Sequence, residues 1–473
     1  MLEKFKNVAV IGAGTMGMGI AEVAATAGHN VKVYDLNSEF AEKSKQKMMD
    51  RLNSRVQRGK ISKELSQQVN DHVSIVTTLS ELSDSHLVIE AIVENIEIKQ
   101  NLFKELQEKC NANTLYATNT SSISVTAIAS VLNQPENMIG LHFFNPAPVM
   151  QLVEVIAGLK SSQENLEDGL ELCRSWKKMP VLAKSTPGFI VNRVARPFYG
   201  EALKMLQEQV SNHATIDCVM KSAGFRMGPF ELMDLIGIDV NLSVSKTVYQ
   251  EMFYDPRYKP SLIQQEMVYA GMLGRKSGLG FYDYQNSELS DCIGYENLYK
   301  LDEEISNPFE KLNEHYEIEI EGCLVALSNG QTCSQRQEAK PIAQFDLCLN
   351  YEKAGILTIA FAPNFPQDTK QKIVALIQNA GKQVVVIDDN PALIAMRTVC
   401  MLINEAADAI ENGVCSREDV DLAMQKGVNY PIGLIDWAER IGISKVVETL
   451  DNLYQWFGDD RYRASAWLRK QIL

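Results

Sequence analysis

Close to the start of the chain lies the stretch Asn7-Val-Ala-Val-Ile-Gly-Ala-Gly-Thr-Met-Gly17, an apolar run that ends in a glycine-rich turn. The three glycines fit G-x-G-x-x-G: the first permits a tight turn, the second lets a pyrophosphate approach the backbone, and the third lets the next helix pack on the strand. The start of that helix would direct unpaired N–H groups at phosphate oxygens. The candidate cofactor-binding residues of this turn are Gly12, Gly14, Thr15, Met16 and Gly17.

The residues that follow the turn have the order that a dinucleotide site requires. Residues 16–27 are predicted as a helix that ends before Gly28, and residues 31–34 as a second strand. Asp35 then lies 18 positions after Gly17. Its carboxylate can accept hydrogen bonds from a ribose 2′-hydroxyl and would repel a 2′-phosphate, which predicts NAD and not NADP as cofactor. The alternative is a structural glycine turn in another α/β protein.

Further apolar runs of strand length continue along the chain, most of them separated by helical stretches. They cover residues 73–76, 87–91, 115–118, 139–143 and 152–156. Alternating strands and helices are typical of a parallel, doubly wound sheet. The first part of the chain is therefore predicted to be an α/β domain.

The composition excludes several classes of protein. The 473 residues, 45% hydrophobic and 22% charged, are enough for about three globular domains. A net charge of −14 argues against nucleic acids and anionic membranes as partners, and no apolar run approaches the ~18 residues that span a bilayer. Nine cysteines without a Cys-x-x-Cys pair indicate reduced thiols and no metal site. With seven residues before the first strand there is no room for a signal peptide, so a cytoplasmic location is expected.

Residues 43–63 form a basic segment in this acidic chain, with eight Lys or Arg, one Asp and a local net charge of +7. Apolar residues recur every four positions on both sides of Gly59, which predicts a helix–turn–helix insertion at about 40–72 with a cationic outer face. One interpretation is a solvated charged face. The other is a docking surface for a phosphorylated, nucleotide-like substrate carrier.

Polar residues lie where the predicted strands end, which is where ligands bind in such sheets. Ser121 follows one strand, His142 ends the next, and Glu154 is a single carboxylate in the apolar run 152–156. A buried carboxylate needs a partner, and neighbouring strands would place Glu154 beside His142. A carboxylate bound to one imidazole nitrogen fixes the tautomer, so that the other nitrogen can take the proton of an alcohol that loses hydride. Asn192 adds a polar group at the start of the next domain. The alternative interpretation is that His142 is a structural histidine whose hydrogen bonds are satisfied within the core.

Six motifs together closely resemble the L-3-hydroxyacyl-CoA dehydrogenases, over about residues 1–283. They are Gly12-Ala-Gly-Thr-Met-Gly17, Asn119-Thr-Ser-Ser122, His142-Phe-Phe-Asn-Pro146, Thr186-Pro-Gly-Phe-Ile-Val-Asn-Arg193, Gly228-Pro-Phe-Glu-Leu232 and Gly274-Arg-Lys-Ser-Gly-Leu-Gly-Phe-Tyr282. The resemblance implies NAD contacts at Asp35, Glu94, Lys99 and Asn119. It also implies CoA contacts on the basic helical hairpin, for which Lys45, Arg51 and Arg55 are the candidates.

The resemblance further implies the roles of the polar cluster. Ser121 and His142 would bind the 3-hydroxyl, and His142 would remove its proton while hydride passes to NAD. Glu154 would orient and stabilise the imidazolium, and Asn192 would help to position the reacting group. The product would be a 3-ketoacyl-CoA, as in β-oxidation of fatty acids.

The remaining length contains a second, altered copy of the first part. An acidic stretch with a net charge of −9 over residues 283–319 indicates an exposed connector at 284–319. Beyond it the chain aligns with itself at an offset of 204 residues, which becomes 205 after one insertion. Glu154 and Asn192 correspond to Thr358 and Met396, and no glycine-rich turn recurs, so the copy is expected to bind no dinucleotide. The matched pairs are Gln163 with Gln367, Pro187 with Pro391, Arg193 with Arg397, Glu201 with Glu405, Asp217 with Asp421, Met220 with Met424, Gly228 with Gly433, and 236–238 with 441–443.

The sequence thus predicts an α/β protein of several parts. An N-terminal Rossmann domain with a parallel, doubly wound sheet spans residues 1–185. Two all-α dehydrogenase C-terminal domains span 186–283 and 391–473, with a vestigial Rossmann-like βαβ segment at 320–390 between them. Because the helical domain forms the dimer interface in short members of the family, we hypothesise that the two copies form an internal pseudo-dimer with one active site per chain. Further homo-oligomerisation stays open.

Several functional alternatives also stay open. Tandem members of the family resemble both 3-hydroxybutyryl-CoA and 3-hydroxyadipyl-CoA dehydrogenases, the latter of phenylacetate degradation. An adipyl group needs a cation for its distal carboxylate, for which Arg193, Arg196 and Arg226 are candidates. Another β-hydroxyacid dehydrogenase would use a catalytic lysine, and a crystallin-like structural relative would not need the polar cluster. A multifunctional β-oxidation protein would need a hydratase domain, for which the chain has no room.

Overall fold

The computed structural model of the protein describes residues 1–285, 292, 308–313, 316–336 and 339–473. These residues form two units, the first made of residues 1–192 and 413–428 and the second of residues 193–412 and 429–473. Most of the connector expected at 284–319 lies outside the described residues. No helix in the described part of the chain is both long and apolar enough to cross a bilayer.

The first unit is built on an eight-stranded sheet. Its strands are β1 (Asn7–Ile11), β2 (Asn30–Tyr34), β3 (Val73–Val76), β4 (Leu87–Glu90), β5 (Leu115–Thr118), β6 (Met138–Phe143), β7 (Leu152–Ala157) and β8 (Met179–Lys184). Their order is β3-β2-β1-β4-β5-β6-β7-β8, the doubly wound arrangement expected from the sequence. The strands predicted from the apolar runs correspond to β1–β7, and the prediction missed β8.

One pair of neighbouring strands departs from the parallel pattern. Strands β6 and β7 run antiparallel, and in their register His142 lies directly opposite Glu154. Only residues 144–151 connect the two strands, which is too few for the crossover that a parallel pair requires. The sheet is therefore mixed at this point, and a hairpin brings the two polar residues side by side.

Helices connect the strands of the first unit. They are α1 (Thr15–Thr26), α2 (Ser38–Gln57), α3 (Lys63–His72), α4 (Ile96–Lys109), α5 (Val125–Ala129) and α6 (Gln163–Ser175), and α7 (Val191–Val194) begins where residues 1–192 end. Helices α2 and α3 are the predicted hairpin. The side chains of Asn37 and Ser62 cap their N-termini, and Met48, Leu52 and Val69 are buried as the apolar spacing predicts.

The second unit contains most of the remaining helices. These are α8 (Arg196–Gln207), α9 (His213–Ser222), α10 (Pro229–Ile236), α11 (Ile238–Glu251), α12 (Leu262–Tyr269), α13 (Gln367–Asn379), α14 (Ala395–Glu411), α16 (Leu434–Ile441), α17 (Ile443–Phe457) and α18 (Ala466–Lys470). Helix α15 (Arg417–Gly427) belongs to the first unit.

A five-stranded sheet also lies in the second unit. Its strands are β9 (Glu317–Ile320), β10 (Cys323–Leu327), β11 (Ile342–Phe345), β12 (Ile356–Phe361) and β13 (Gln383–Val386), in the order β13-β12-β11-β10-β9. Strand β12, helix α13 and the parallel strand β13 form the expected βαβ piece. The sheet begins at residue 317, inside the range expected for the connector, because β9 and β10 form an additional antiparallel hairpin.

The two halves of the chain share backbone details as well as order. Strands β11 and β12 run antiparallel, as β6 and β7 do. Gly188 and Phe189 have φ values of 75° and 48°, and Ala392 and Leu393, 204 residues later, have 59° and 48°. Because non-glycine residues rarely adopt positive φ, its recurrence at aligned positions supports the duplication.

A buried lysine also recurs at the same offset. Lys178 donates to the carbonyls of Ala147 and Met150 at 2.6 and 2.7 Å, in the β6–β7 connection. Lys382 donates to the carbonyls of Tyr351 and Ala354 in the β11–β12 connection. Burial lowers the pKa of both lysines. In both halves, a buried lysine that donates to two backbone carbonyls therefore stabilises the hairpin loop.

Reciprocal contacts join α8 and α14 and their neighbours within the second unit. Arg193 Nε donates to Glu405 at 2.7 Å, and Arg397 Nε donates to Glu201 at 2.9 Å, so the duplicated Arg and Glu exchange partners. Two tyrosine hydroxyls complete the exchange: that of Tyr258 donates to Glu405 at 2.5 Å and that of Tyr462 to Glu201 at 2.9 Å. Each group in one copy thus has its counterpart in the other.

The cysteine prediction was wrong for one pair. Cys218 and Cys292 form a disulfide, whereas the other seven cysteines are thiols. The two residues are 74 positions apart, so no motif spacing marks them as partners.

Candidate active site

The turn between β1 and α1 has the geometry of a phosphate-binding loop. Gly12 has a φ of 101°, and a Cβ there would lie 2.6 Å from the carbonyl oxygen of Ala91. A Cβ at Gly17 would lie 1.8 Å from the carbonyl oxygen of Gly12, so only glycine lets the helix pack this closely. Gly14 differs, because a Cβ there would find no heavy atom within 4 Å. It begins α1 without a side-chain cap, which leaves the first amides of the helix to a ligand.

Asp35 lies at the end of β2 beside this turn. Its two carboxylate oxygens accept the N–H groups of Ala13 at 2.8 Å and Asn37 at 3.0 Å. These bonds fix the carboxylate against the glycine loop and leave further lone pairs for a ribose hydroxyl. The structure therefore brings together the turn and the acidic residue predicted from the sequence.

His142 and Glu154 form a buried pair on the β6–β7 hairpin. The Nδ1 atom of His142 lies 2.6 Å from Oε2 of Glu154, and their side chains are 7% and 0% exposed. Because a carboxylate only accepts hydrogen bonds, it holds the proton on Nδ1 and leaves Nε2 as the basic nitrogen. The rings of Phe144 and Phe189 pack on the imidazole, at 4.6 and 5.9 Å between centroids.

The second oxygen of Glu154 is also satisfied. Oε1 accepts the amides of Ile190 and Val191, both at 3.0 Å, where α7 begins. These two amides fix the orientation of the carboxylate. They become available because Phe189 adopts the left-handed conformation noted above, which turns the chain into α7. The turn that bears Asn192 therefore also orients the histidine–glutamate pair.

Glu94 organises the loop that carries Ser121. Its Oε1 accepts the hydroxyl of Thr120 at 2.6 Å, the amide of Ser121 at 2.9 Å and the hydroxyl of Ser122 at 3.0 Å. Burial works to raise the pKa of Glu94, but Lys99 and these donors outweigh burial and lower the pKa. The hydroxyl of Ser121 lies 3.4 Å from Glu94, and the side-chain amide of Asn192 lies 3.5 Å from the backbone oxygen of Ser121. The structure thus links the serine loop to Asn192.

Lys99 and Asn119 have internal partners near the same loop. Lys99 is 1% exposed and pairs with Glu90 at 2.5 Å and Glu94 at 3.2 Å, so its ammonium serves an ion-pair network. The side-chain oxygen of Asn119 accepts the amide of Phe143 at 2.8 Å, which leaves its NH2 group as the side-chain atom that can donate to a cofactor. Of these two predicted NAD contacts, Asn119 has the more accessible donor.

Sequence reasoning missed Glu90 in this network. Glu90 ends β4, is fully buried, and accepts from Lys99, the amide of Ile92 and the hydroxyl of Thr118. It thereby supports the strand ends that carry Glu94 and the serine loop. A single carboxylate at the end of an apolar strand, nine residues before a lysine, was the available signal.

The three cations proposed for CoA all make contacts within the first unit. Arg51 and Arg55 pair with the buried Glu22 of α1, and Lys45 donates to the carbonyl of Val73 at 2.7 Å. Sequence reasoning missed Glu22, a carboxylate on the buried face of α1. Arg51 and Arg55 keep 53% and 40% of their side chains exposed. They therefore attach the hairpin to α1 while part of each side chain still faces solvent.

The cations considered for a distal carboxylate differ in availability. Arg193 is buried in ion pairs with Glu405 and Asp408, at 2.7 and 2.6 Å. Arg196 is buried and donates to the hydroxyl of Ser245 at 3.1 Å. Arg226 is exposed. Among the three, Arg226 is thus the cation that faces solvent.

Family models match almost the whole chain. One described as 3-hydroxyacyl-CoA dehydrogenase, NAD binding domain, matches residues 7–186. A second, for the C-terminal domain of the same enzymes, matches residues 188–284 and again 393–473. A third, the 3-hydroxybutyryl-CoA dehydrogenase reduced Rossmann-fold domain, matches residues 325–391. The double match of the C-terminal model agrees with the duplication found in the sequence.

Individual relatives extend this similarity over the full length. The chain is 44% identical to the 3-hydroxyadipyl-CoA dehydrogenase of Escherichia coli K12, over 100% of this chain and 98% of the relative. It is 42% identical to the 3-hydroxybutyryl-CoA dehydrogenase of Clostridioides difficile, over 59% of this chain and 99% of the relative. A crystal structure of 3-hydroxybutyryl-CoA dehydrogenase from Escherichia coli K12 matches with a TM-score of 0.92 at 43% identity, over 99% of this chain and 98% of that chain.

Proposed function

This chain belongs to the 3-hydroxyacyl-CoA dehydrogenase family, and we propose that it oxidises an L-3-hydroxyacyl-CoA to the 3-ketoacyl-CoA with NAD. The observation that carries the proposal is the buried pair of His142 and Glu154, 2.6 Å apart. It lies in the unit that contains the glycine-rich turn and Asp35. A general base and a dinucleotide site are the two parts that alcohol oxidation by hydride transfer needs.

The residues of the first unit fit NAD. The open space at Gly14 and the uncapped start of α1 suit a pyrophosphate, and the carboxylate of Asp35 suits an unphosphorylated ribose. The NH2 group of Asn119 supplies a further donor, and Glu94 and Lys99 hold the adjacent loop. When bound, NAD supplies the nicotinamide ring that accepts the hydride.

The chain's own residues handle the proton and the geometry. Nε2 of His142 takes the proton of the 3-hydroxyl, to which Ser121 also donates a hydrogen bond. Glu154 keeps Nδ1 protonated and stabilises the imidazolium that forms, since its other oxygen is fixed by two amides. Asn192 positions the reacting group from the turn that follows. General-base catalysis of this kind contributes about 10²–10⁴-fold to the rate.

The basic hairpin supplies the surface for CoA. Arg51 and Arg55 are anchored by Glu22 and still half-exposed, so each can donate remaining N–H groups to a phosphate. Lys45 lies on the same helix. Pairing with Glu22 reduces the positive charge that Arg51 and Arg55 present. Lys47 and Arg58, which are exposed on the same hairpin, add further positive charge for the phosphates of CoA.

Two acyl groups are candidates for the substrate. A 3-hydroxybutyryl group needs no further cation, whereas a 3-hydroxyadipyl group needs one for its distal carboxylate. Full-length similarity to a 3-hydroxyadipyl-CoA dehydrogenase favours testing the second candidate alongside the first. Arg226 is the candidate cation, since Arg193 and Arg196 are buried with partners.

Steady-state kinetics with a panel of substrates tests the function. Purified protein is assayed with NAD and with NADP against L-3-hydroxyacyl-CoA thioesters of increasing length and against 3-hydroxyadipyl-CoA. We expect oxidation with NAD, slow turnover with NADP, and loss of activity in His142→Gln. If kcat/KM is higher for 3-hydroxyadipyl-CoA than for the other thioesters, and Arg226→Met removes this difference, the substrate is the adipyl thioester. Activity of His142→Gln close to that of the wild type would contradict the assignment.

We also propose that the two helical copies act as an internal pseudo-dimer. The exchanged pairs Arg193–Glu405 and Arg397–Glu201 support this, because an isologous interface repeats each contact with the partners reversed. Titration of the full chain with NADH, followed by fluorescence, should reach saturation at one equivalent per chain. Light scattering in the same buffer reports whether full chains associate further, and two equivalents of NADH per chain would contradict a single active site.

A further inference from the structure

Helix α15 lies on the sheet that carries the proposed catalytic pair, although it comes from the second helical copy in sequence. Within the first unit, the amide of Lys184 on β8 donates to the carbonyl of Val414 at 2.8 Å. The carboxylate of Asp419 accepts a backbone hydrogen bond from Leu182 on the same strand. Residues 413–428 are thereby fixed along β8, the neighbour of β7.

Gly427 ends α15 at the residues that flank Glu154. A Cβ at this position would lie 2.7 Å from Cδ2 of Leu152 and 3.0 Å from Cγ2 of Val191. Leu152 precedes Glu154 by two residues on β7, and therefore lies on the same face of the strand. Val191 donates its amide to the carboxylate of Glu154. Gly427 thus packs against one residue that donates to this carboxylate and against another on the same face of its strand.

The glycine is needed here for its small size. Its φ is not positive, so an L-residue could adopt the backbone conformation without strain. Carbon atoms in contact lie about 3.5–4.0 Å apart, so an added methyl group would displace its neighbours by several tenths of an ångström or more. The terminal methyl of Leu152 can yield, but the β-branched side chain of Val191 has few rotamers and transmits displacement to its backbone.

We propose that Gly427 is a positioning residue for the His142–Glu154 pair, so that the second helical copy sets the geometry of the active site. The contacts run from Gly427 through Val191 to Glu154, and from Glu154 to Nδ1 of His142. This inference rests on the catalytic role proposed above for that pair. The proposal assigns to the second helical copy a role in positioning the catalytic pair, in addition to its contacts with the first copy.

The test compares Gly427→Ala with a matched glycine variant. Gly355→Ala adds the same methyl group at a position with no heavy atom within 4 Å and without positive φ, so it should leave activity and melting temperature unchanged. In Gly427→Ala we expect kcat to fall about 10-fold or more, because a misplacement of about 1 Å can reduce a rate 10²-fold. The KM for NAD should stay close to its wild-type value, whereas the melting temperature should fall, because overpacking of this kind costs about 1–3 kcal/mol.

Two further measurements separate positioning from a general packing defect. Val191→Ala removes the two γ-methyl groups that the new methyl group meets and keeps the backbone amide of residue 191, so the double variant Gly427→Ala/Val191→Ala should recover most of the lost kcat. The acid limb of the pH profile of kcat/KM should shift in Gly427→Ala and return in the double variant, since it reports the base that Glu154 supports.

Each alternative outcome is decisive. Wild-type kcat in Gly427→Ala, or a loss of active sites in an NADH titration with unchanged turnover per site, would overturn the positioning role. In either case, an inactive His142→Gln variant would leave the proposed function standing. An active His142→Gln variant would instead remove the proposed function, whatever Gly427→Ala does.

Discussion

His142 and Asp346 occupy equivalent positions 204 residues apart, at the ends of β6 and β11. In the first half, Glu154 on the opposite strand accepts the amides of the following turn. In the second half, Asp346 itself accepts the amides of Ile394, Ala395 and Met396, at 3.0, 2.7 and 2.9 Å. The second half therefore keeps the turn and a carboxylate that accepts its amides. However, that carboxylate, Asp346, occupies the position that His142 has in the first half.

This relationship predicts that removing the charge of Glu154 reduces catalysis, whereas removing the charge of Asp346 reduces stability. Glu154→Gln places an amide donor against Nδ1 and favours the tautomer with the proton on Nε2, so kcat should fall about 10²–10⁴-fold. Asp346→Asn has no catalytic partner and should leave kcat within about two-fold, while the unsatisfied amides lower the free energy of unfolding by about 1–3 kcal/mol. Turnover assays and urea unfolding of both variants make the comparison. A large loss of kcat in Asp346→Asn would contradict the difference.

The two glycines of the phosphate-binding turn should respond differently to alanine. Gly14→Ala meets no atom in the folded chain but places a methyl group where a pyrophosphate approaches, so the KM for NAD should rise about 10-fold or more at an unchanged melting temperature. Gly17→Ala would place a carbon 1.8 Å from a backbone oxygen and should destabilise the fold. Differential scanning fluorimetry with and without NAD separates the two effects, and equal melting temperatures would refute the second.

The exchanged ion pairs of the second unit should contribute strongly to stability. Arg397 is 1% exposed, and Arg397→Met leaves Glu201 with reduced compensation, so the free energy of unfolding should fall by about 3–5 kcal/mol. Adding Glu201→Gln removes the uncompensated charge and should restore part of the loss. The exposed pair of Arg469 and Asp451 is the control, since Arg469→Met should cost about 0–1 kcal/mol. Denaturant unfolding measures all three, and equal losses in the buried and exposed variants would be inconsistent with this account.

His29 should make stability depend on pH below neutrality. Its Nδ1 donates to the carbonyl of Phe5 at 2.7 Å and its Nε2 accepts from Trp176 at 2.8 Å, so only the neutral ring satisfies both partners. Burial lowers the pKa of His29. Because the unfolded chain then binds the proton more tightly, this contribution to stability is complete above the unfolded pKa of about 6.5 and is lost as the pH falls towards the folded pKa.

His29→Asn keeps one donor and one acceptor without a titrating group. Thermal unfolding between pH 5 and pH 8, followed by tryptophan fluorescence, should show a smaller loss of stability on acidification in this variant than in the wild type. The comparison is needed because burial raises the pKa of Asp217 to about 7 and that of Asp346 to about 6. Protonation of these carboxyls stabilises the fold as the pH falls. Parallel pH profiles of the two proteins would exclude a role for His29.

Much of the fold follows from local patterns. The apolar runs gave seven of the strands in the first sheet, because buried strands of a doubly wound sheet are short and continuously hydrophobic. The four-residue repeat of Met48 and Leu52 gave the helical hairpin. Asp35 and the glycines were recognisable because the turn, the approach of a phosphate and the close packing of a helix each require a particular residue at a fixed spacing.

Other features could not be read from residue types. The sequence marked Arg51, Arg55 and Lys99 as cations near the ligands, yet they pair with Glu22, Glu90 and Glu94. A positive charge in a sequence does not reveal its partner, because the carboxylate that neutralises it lies on another element. The disulfide between Cys218 and Cys292 was missed for a similar reason, since a cysteine in a sequence does not reveal which distant cysteine lies beside it.

The sequence by itself determined the dinucleotide-binding turn, the family, the duplication and the proximity of His142 to Glu154, because spacing along a strand or a repeat follows from backbone geometry. Only the tertiary structure decided that β6 and β7 run antiparallel, that the duplicated Arg and Glu exchange partners, and that Gly427 packs against Leu152 and Val191. These contacts join residues that are far apart in the chain. Which of them meet depends on how the faces of helices and sheets pack together, and no local pattern records that choice.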